Sequence, residues 1–285
     1  MSPRVRAYLM SALAYVVALA AAWATAHLSP LSDPLWDAAL ADVVATFVIF
    51  GFSVGFSNSS FYDPYWSAAP PALFAYWLTF GTLGPASGIA LALVLLWAVR
   101  LTFNFYRGWP DLSHEDWRYG ELQKKHGKLY WLVSFFGIHF FPTVLTFAGS
   151  AALYVLATKP ASLGPLHVVG AAVTLLGIGY EGVADEQLRK YRASSPPGGS
   201  WLQTGLWKHS RHPNYFGEVT FWWGLAIMGL GSDPSAYWVV FGPLAITSLF
   251  FFISIPMIDE RMKRRRPGYE DHMKSVSRLI PWPRG

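Results

Sequence analysis

Apolar positions in this chain come in long blocks, separated by short stretches that hold most of the charged residues. Most blocks are about 20 residues long, the length that a helix needs to cross roughly 30 Å of hydrocarbon. They predict an all-α fold, a polytopic integral membrane protein with seven to eight transmembrane helices. The predicted segments, of which the third is the shortest, are 5–26, 38–57, 66–80, 86–105, 129–157, 164–188, 213–230 and 237–258.

The composition agrees with this pattern. The chain has 285 residues, of which 53% are hydrophobic and only 14% are charged, with a mean hydropathy of +0.30. Because an average soluble domain carries about 25% charged residues, a soluble enzyme, a disordered tail and a fibre are excluded. The absence of cysteine from the sequence excludes disulfides, thiolate nucleophiles and zinc-thiolate or iron-sulfur sites.

The basic residues predict the orientation in the membrane. They concentrate at Arg4 and Arg6 and in the stretches 100–128, 189–211 and 261–284, while the intervening loops hold almost none. The positive-inside rule then places both termini and all basic stretches in the cytoplasm, which requires an even number of spans and fits eight. The net charge of +5 is therefore explained by topology and anionic membrane lipid, and we expect no nucleic-acid partner.

The N-terminal segment has two interpretations. Its two arginines, its apolar run and Ala24-Thr25-Ala26 resemble a secretory signal with a cleavage site. The apolar run, 7–23, is longer than the roughly 7 to 15 residues of such a signal, so a retained helix is favoured. We predict one transmembrane domain over 1–285, with an extra helix at 1–30 and a helical core at 38–285. The short N-terminus with few lysines favours a bacterial inner membrane.

The most informative motif is the stretch 210–218, which leads directly into an apolar segment. Pro213 predicts the first turn of a helix at the cytoplasmic surface, and Arg211 and His212 just before it suit an anion. Asn214 and Glu218 are four residues apart, so they share a face of that helix. A helix cap with one positive-inside arginine is the alternative for Arg211 alone.

A second motif is a stripe of charged residues at the end of the sixth predicted span. Glu181, Asp185, Arg189 and Arg192 are spaced four, four and three residues apart, which places them on one helical face. An Asp185–Arg189 pair is favourable at this spacing. This face suits a dinucleotide, because acids can accept hydrogen bonds from ribose hydroxyls and arginines can bind phosphate. The alternative interpretation is a row of structural salt bridges at the membrane edge.

A third cluster lies between the second and third predicted spans, at 58–66. Asn58 begins it, and Asp63-Pro64 is typical of a simple turn, which is the structural alternative. A carboxyl group held among aromatic rings would have a raised pKa, because desolvation disfavours its charged form. A protonated Asp63, hydrogen-bonded to Tyr62, is then a candidate donor to a substrate carbonyl.

Other polar residues complete the candidate set. Arg100, Asn104 and Arg107 share a helical face after the fourth span, and the polar loop 114–119 has no recognised metal-ligand spacing, so we expect no metal. His139 and His167 are isolated and are interpreted as structural. The candidate site residues are Asp63, Tyr62 and Asn58 for catalysis, and, for cofactor binding, Arg100, Asn104, Arg107, Glu181, Asp185, Arg189, Arg192, Arg211, His212, Asn214, Tyr215, Glu218 and Tyr269.

Asp185-x-x-x-Arg189-x-x-Arg192, followed by the stretch 211–218, resembles the C-terminal half of the steroid 5α-reductase family. The segment from Tyr269 to Pro281 fits the same pattern, and 58–67 and 100–119 resemble the family's bacterial membrane branch. The similarity covers roughly residue 38 to the end. The segment 212–215 also occurs in sterol C14-reductases and isoprenylcysteine carboxyl methyltransferases, which share this cofactor pocket.

The resemblance implies transfer of a hydride from NADPH to the β-carbon of a 3-oxo-Δ4-steroid, followed by protonation of the α-carbon. The family's acid, a Glu beside a Gln, polarises the 3-oxo group, and Tyr62-Asp63 falls at its place. The family tyrosine that assists this acid lines up with Trp97. The expected activity is therefore an NADPH-dependent reductase that acts on a steroid or a similar lipophilic ketone from the bilayer.

Two other functions are open. One is a membrane methyltransferase that uses S-adenosylmethionine with the same His-Pro-x-Tyr segment, although this cofactor has no use for two arginines that suit a 2′-phosphate. The other is a non-catalytic protein that binds sterol or lipid, in which the polar residues only cap helices. Convergence of Asp185, Arg189, Arg192 and Asn214 on one cavity would favour an enzyme.

Overall fold

The computed structural model describes residues 1–282, and residues 283–285, with the last arginine of the C-terminal basic stretch, lie outside the described part. The described chain is 78% helical and has no strand, which confirms the predicted all-α class. It divides into two compact units, with the boundary between Pro160 and Ala161, and each unit is described by itself. The prediction of one transmembrane domain stays a prediction.

The first unit contains seven α-helices over residues that are all described. They are α1 (Pro3–Leu28), α2 (Pro34–Gly55), α3 (Tyr65–Leu78), α4 (Pro85–Gly108), α5 (Trp117–His126), α6 (Tyr130–Ser134) and α7 (Phe141–Thr158). A π-helical turn at Phe135–Phe140 joins α6 to α7, so they form one nearly continuous segment. Helix α1 packs against α2, and its Tyr8 hydroxyl donates to the carbonyl of Tyr106 on α4.

The second unit, as far as residue 282, contains five α-helices. They are α8 (Pro165–Ala193), α9 (Pro213–Ser232), α10 (Phe241–Leu249), α11 (Ile255–Arg265) and α12 (Tyr269–Ser275). A π-helical turn at Phe250–Ser254 joins α10 to α11. Ser210, just before α9, forms a parallel bridge with Ser277, just after α12, and thereby ties the C-terminal segment to the start of α9.

The eight predicted segments all contain helix, and proline explains where several begin. It occupies the first position of α1, α2, α4, α8 and α9, where its missing N–H costs nothing. The prediction that Pro213 begins a helix is confirmed. Among the described residues, six helical segments are long and apolar enough to cross a membrane: Pro3–Leu28, Pro34–Gly55, Pro85–Gly108, Trp117–Thr158, Pro165–Ala193 and Tyr237–Arg265.

The surfaces of these helices are those of an integral membrane protein. Large apolar side chains are exposed on several of them, such as Leu19, Val99 and Leu176, which are 60%, 67% and 61% exposed. Such residues would be unfavourable in water but fit the hydrocarbon of a bilayer. The count of seven to eight spans adds α3 and α9, which are helical and lie outside the six segments.

Helices α8 and α9 approach each other closely because glycines line their contact. Gly170 and Gly177 on α8 face Gly217 and Gly224 on α9, and the two glycines of each helix are seven residues apart. A Cβ atom on Gly217 would lie 2.6 Å from the backbone nitrogen of Glu181. Small residues at a contact between membrane helices let the backbones come this close, which fixes the register of α9 on α8.

Gly177→Ala is expected to destabilise the protein, because the new Cβ would lie 2.5 Å from the backbone nitrogen of Phe221 and 2.7 Å from the carbonyl oxygen of Gly217. Overpacking of this kind costs about 1–3 kcal/mol. The control is Gly179→Ala on the same helix, where nothing lies within 4 Å and alanine improves helix propensity. Thermal unfolding in one detergent compares the two, and equal midpoints would refute the close approach.

Candidate functional site

The turn between α2 and α3 is held by Asn58. Its side-chain oxygen accepts from the Ser60 backbone N–H at 2.8 Å, and its amide nitrogen donates to the carbonyls of Leu112 and His114 at 2.8 and 3.0 Å. The side chain is 1% exposed. These contacts attach the turn to the 109–116 loop, so they support a positioning role, and the catalytic role of Asn58 stays a prediction.

Asp63 follows this turn and is hydrogen-bonded to a residue outside the predicted site. The hydroxyl of Tyr119, on α5, donates to Asp63 Oδ1 at 2.5 Å. Burial raises the pKa of Asp63 to about 6, although the hydrogen bond from Tyr119 acts in the opposite direction. The raised pKa predicted for this carboxyl is therefore confirmed.

The expected pairing of Asp63 with Tyr62 is wrong. The Tyr62 hydroxyl lies 2.7 Å from Thr143 Oγ1 on α7, whereas the Asp63 carboxyl binds Tyr119. The two residues are neighbours in the chain, but their polar atoms bind different helices. The sequence feature that could have indicated Tyr119 is the polar and aromatic run at 114–119, at the end of the stretch 100–119 that resembles the family's bacterial branch.

The isolated histidines are structural, as predicted. His139 is fully buried, and its ring nitrogens lie 2.9 Å from Ser53 Oγ and 3.0 Å from the carbonyl oxygen of Ser134. His167 accepts from the Gly164 backbone N–H through Nδ1 and lies 3.0 Å from Ser232 Oγ through Nε2. Over residues 1–282, no group of three or more metal-ligating side chains is present.

The polar face at the end of α4 belongs to the first unit. Arg107 Nη2 donates to Asn104 Oδ1 at 3.0 Å, so these two predicted cofactor residues do share a face. Arg100 lies one turn before Asn104 and is partly buried. Since the other predicted cofactor residues belong to the second unit, a common pocket stays a prediction.

The charged stripe on α8 becomes more exposed towards the end of the helix. Glu181 is 5% exposed, Asp185 is partly exposed, and Arg189 and Arg192 are exposed. The expected Asp185–Arg189 pair is wrong, because the Arg189 guanidinium binds both carboxylate oxygens of Glu186, three residues earlier. Asp185 instead accepts from Asn214.

That contact joins the two strongest sequence motifs. Asn214 Nδ2, in the first turn of α9, donates to Asp185 Oδ1 on α8 at 3.3 Å. Glu218, one turn further along α9, is 3% exposed and accepts from Trp222 Nε1 at 2.9 Å. The glycine contact between α8 and α9 sets this alignment. The resulting contact places a carboxylate beside an amide, and the exposed Arg192 lies two turns after Asp185 on α8.

Arg211 and His212 lie in a buried network around Asp259 of α11, a residue that the sequence analysis missed. Arg211 Nη2 lies 2.9 Å from Asp259 Oδ2, while His212 Nε2 and the Tyr269 hydroxyl lie 3.1 Å from Oδ1. All four side chains are at most 7% exposed. Arg211 also donates to the carbonyls of Met273 and Val276, which anchors the C-terminal segment.

Burial in this network shifts the pKa values of His212 and Tyr269, which lie outside the membrane-spanning segments. Burial lowers the pKa of His212, although the Asp259 carboxylate opposes this, and burial together with Asp259 raises the pKa of Tyr269. Tyr215 continues the cluster, since its ring stacks between those of His212 and Phe250. These contacts are structural, and cofactor binding by Arg211, His212, Tyr215 and Tyr269 stays a prediction.

Comparison with known proteins identifies relatives without an assigned function. The family profile described as "Protein of unknown function (DUF1295)" matches residues 49–276. An uncharacterized protein of Schizosaccharomyces pombe is 25% identical over 261 residues, which cover 82% of this chain and 76% of the yeast protein. No solved structure matches the chain significantly.

Proposed function

The chain belongs to the DUF1295 family, a domain of the steroid 5α-reductase-like superfamily, and from this premise we propose that it is an NADPH-dependent membrane reductase. The proposed reaction transfers a hydride to the C=C bond of a 3-oxo-Δ4-steroid or a similar lipophilic enone. The observation that carries this proposal is the pair formed by Asp63 and Tyr119.

Reduction at the β-carbon of an enone moves negative charge onto the ketone oxygen. A preorganised donor at that oxygen stabilises the developing enolate. A carboxyl with a pKa near 6 retains its proton at mildly acidic pH and can donate it there. The Tyr119 hydroxyl holds this carboxyl in place and supplies the acid–tyrosine combination that the resemblance assigns to the family, with Tyr119 instead of residue 97.

The donor set of the second unit fits a dinucleotide phosphate. Asp185 and Asn214 can bind ribose hydroxyls. The exposed Arg192 can bind phosphate, and so can Arg189 if the phosphate replaces Glu186 as its partner. When bound, NADPH would supply the hydride. The chain's part is to hold the cofactor and the enone in register and to provide the acid.

Arg192→Ala is expected to abolish a stabilisation that NADPH confers on the detergent-purified protein. A ligand that binds only the native state raises its apparent stability, by about 2.7 kcal/mol at 100 times Kd. The measurement is the thermal midpoint with NADPH, NADH or S-adenosylmethionine. Lys190→Ala is the matched control, because it removes another exposed cation from the same turn of α8 and should retain the shift.

The outcomes separate the candidate functions. A shift with NADPH alone, lost in Arg192→Ala and kept in Lys190→Ala, supports the reductase and leads to a screen of 3-oxo-Δ4-steroids. A shift with S-adenosylmethionine alone would overturn it in favour of a methyltransferase. No shift with any of the three would favour a non-catalytic lipid-binding protein.

The cellular location belongs to the same proposal. The positive-inside rule places the ends of α4 and α8 and the start of α9 in the cytoplasm, where NADPH is available. A bacterial inner membrane suits this orientation, with the lipophilic substrate entering from the bilayer.

A further inference from the structure

A second candidate site lies in the first unit, and Asp63 is not among the residues that line it. Helices α1, α2 and α3 line a half-open cavity of about 730 Å³, within the roughly 300–1,000 Å³ typical of small-molecule sites. Nine alanines form much of its wall, and because their side chains end at Cβ they leave space between the helices. They are Ala18, Ala22, Ala26, Ala38, Ala41, Ala45, Ala68, Ala69 and Ala72.

One ionisable group inside this apolar wall lacks part of its hydrogen bonding. Asp42, on α2, is 5% exposed, and its Oδ1 accepts from the Tyr65 hydroxyl at 2.5 Å. Among the described residues, none provides a hydrogen bond to Asp42 Oδ2. A buried polar atom without a partner is costly, and both Asp42 and Tyr65 line the cavity. We therefore expect the missing partner to come from a molecule in the cavity.

The surroundings indicate that this molecule is lipophilic. Leu19, Trp23 and Phe80 also line the cavity and are 60%, 65% and 51% exposed, on helices whose outer surfaces suit hydrocarbon. An ionisable residue in a membrane-spanning segment is by default a functional candidate. A hydroxyl group both donates and accepts, so it can satisfy the second carboxyl oxygen in either protonation state.

We propose that this cavity binds a lipophilic alcohol, whose hydroxyl is hydrogen-bonded to Asp42 Oδ2 and whose hydrocarbon lies against the alanines. The site does not depend on the proposed reductase. Asp63 does not line the cavity, and its carboxyl is held by Tyr119. All the lining residues of α1 and α2 also precede residue 49, where the family match begins.

The test is native mass spectrometry of the delipidated full-length protein in detergent, with octadecan-1-ol, octadecane and octadecylamine as probes. We expect one molecule of octadecan-1-ol to bind per chain, at least tenfold more tightly than octadecane, which corresponds to about 1.4 kcal/mol. Asp42→Leu should remove this preference. Asp37→Leu is the matched control, because Asp37 lies on the same helix, is 7% exposed and does not line the cavity.

Two further measurements test the proposal if Asp42→Leu does not fold. The ratio of the affinities for octadecan-1-ol and octadecane is measured on the unaltered protein. Ala69→Leu places a larger side chain in the cavity and should weaken alcohol binding at least tenfold. Equal binding of octadecan-1-ol and octadecane by the unaltered protein would overturn the proposal. So would tighter binding of the amine than of the alcohol, or full alcohol binding by Ala69→Leu.

Discussion

Asp259→Ala is expected to lower the free energy of unfolding by about 3–5 kcal/mol, because it leaves the buried guanidinium of Arg211 without its carboxylate partner. The same change removes the acceptor of His212 and of the Tyr269 hydroxyl. Arg211 also anchors the segment after α12, so we expect that segment to become sensitive to protease. The measurements are the thermal midpoint in detergent and limited proteolysis of the C-terminal region.

The control for this prediction is Asp271→Ala. Asp271 pairs with Lys274 on α12, where both side chains are largely exposed. Exposed ion pairs contribute about 0–1 kcal/mol, so this variant should melt close to the unaltered protein. If the thermal midpoint of Asp259→Ala is as high as that of Asp271→Ala, the network around Asp259 does not stabilise the fold.

Asp63→Ala is expected to reduce the rate of enone reduction by about 10²–10⁴-fold, the usual contribution of a general acid. The pH dependence has a definite sign. Because the pKa of Asp63 is raised to about 6, its protonated form predominates below that pH. The value of kcat/KM should therefore be highest in acid and fall as the pH rises through about 6. The measurement is the rate of NADPH oxidation in the presence of a 3-oxo-Δ4-steroid, recorded as a function of pH.

Two variants separate this role from a structural one. Asp63→Asn keeps the shape of the side chain but does not titrate, so the fall in rate near pH 6 should vanish. Asp111→Ala removes an acid of the neighbouring loop that bonds to Ser113, and it should keep both rate and profile. A pH profile that is unchanged in Asp63→Asn would assign the proton donor to another residue.

The membrane fold could be predicted from the sequence because its determinants are local. The length of each apolar block sets whether a helix can cross the bilayer, and a proline at the first turn sets where α9 begins. The structural role of His139 also followed from its isolation among apolar residues. Each of these inferences needs only residues that lie close together in the chain.

Part of the candidate site could also be predicted from the sequence. The aromatic neighbours of Asp63 in the chain predict its raised pKa, and the spacing of the motifs predicts Asp185 and Asn214 as site residues, which the structure joins by a hydrogen bond. The spacing of residues along a helix does not determine which of several carboxylates within reach an arginine binds. Arg189 binds Glu186 rather than Asp185, and its Nε and Nη2 each donate to one carboxylate oxygen of Glu186.

The sequence by itself determined the all-α membrane class of the fold, the positions of its apolar helical segments and the residue types able to do chemistry. Only the tertiary structure decided which of them meet. Tyr119 is 56 residues from Asp63, and Asp259 is 48 residues from Arg211, so their contacts depend on how helices pack. Packing in turn depends on small side chains at helix contacts, such as Gly217, and these have no polar chemistry that a motif search detects.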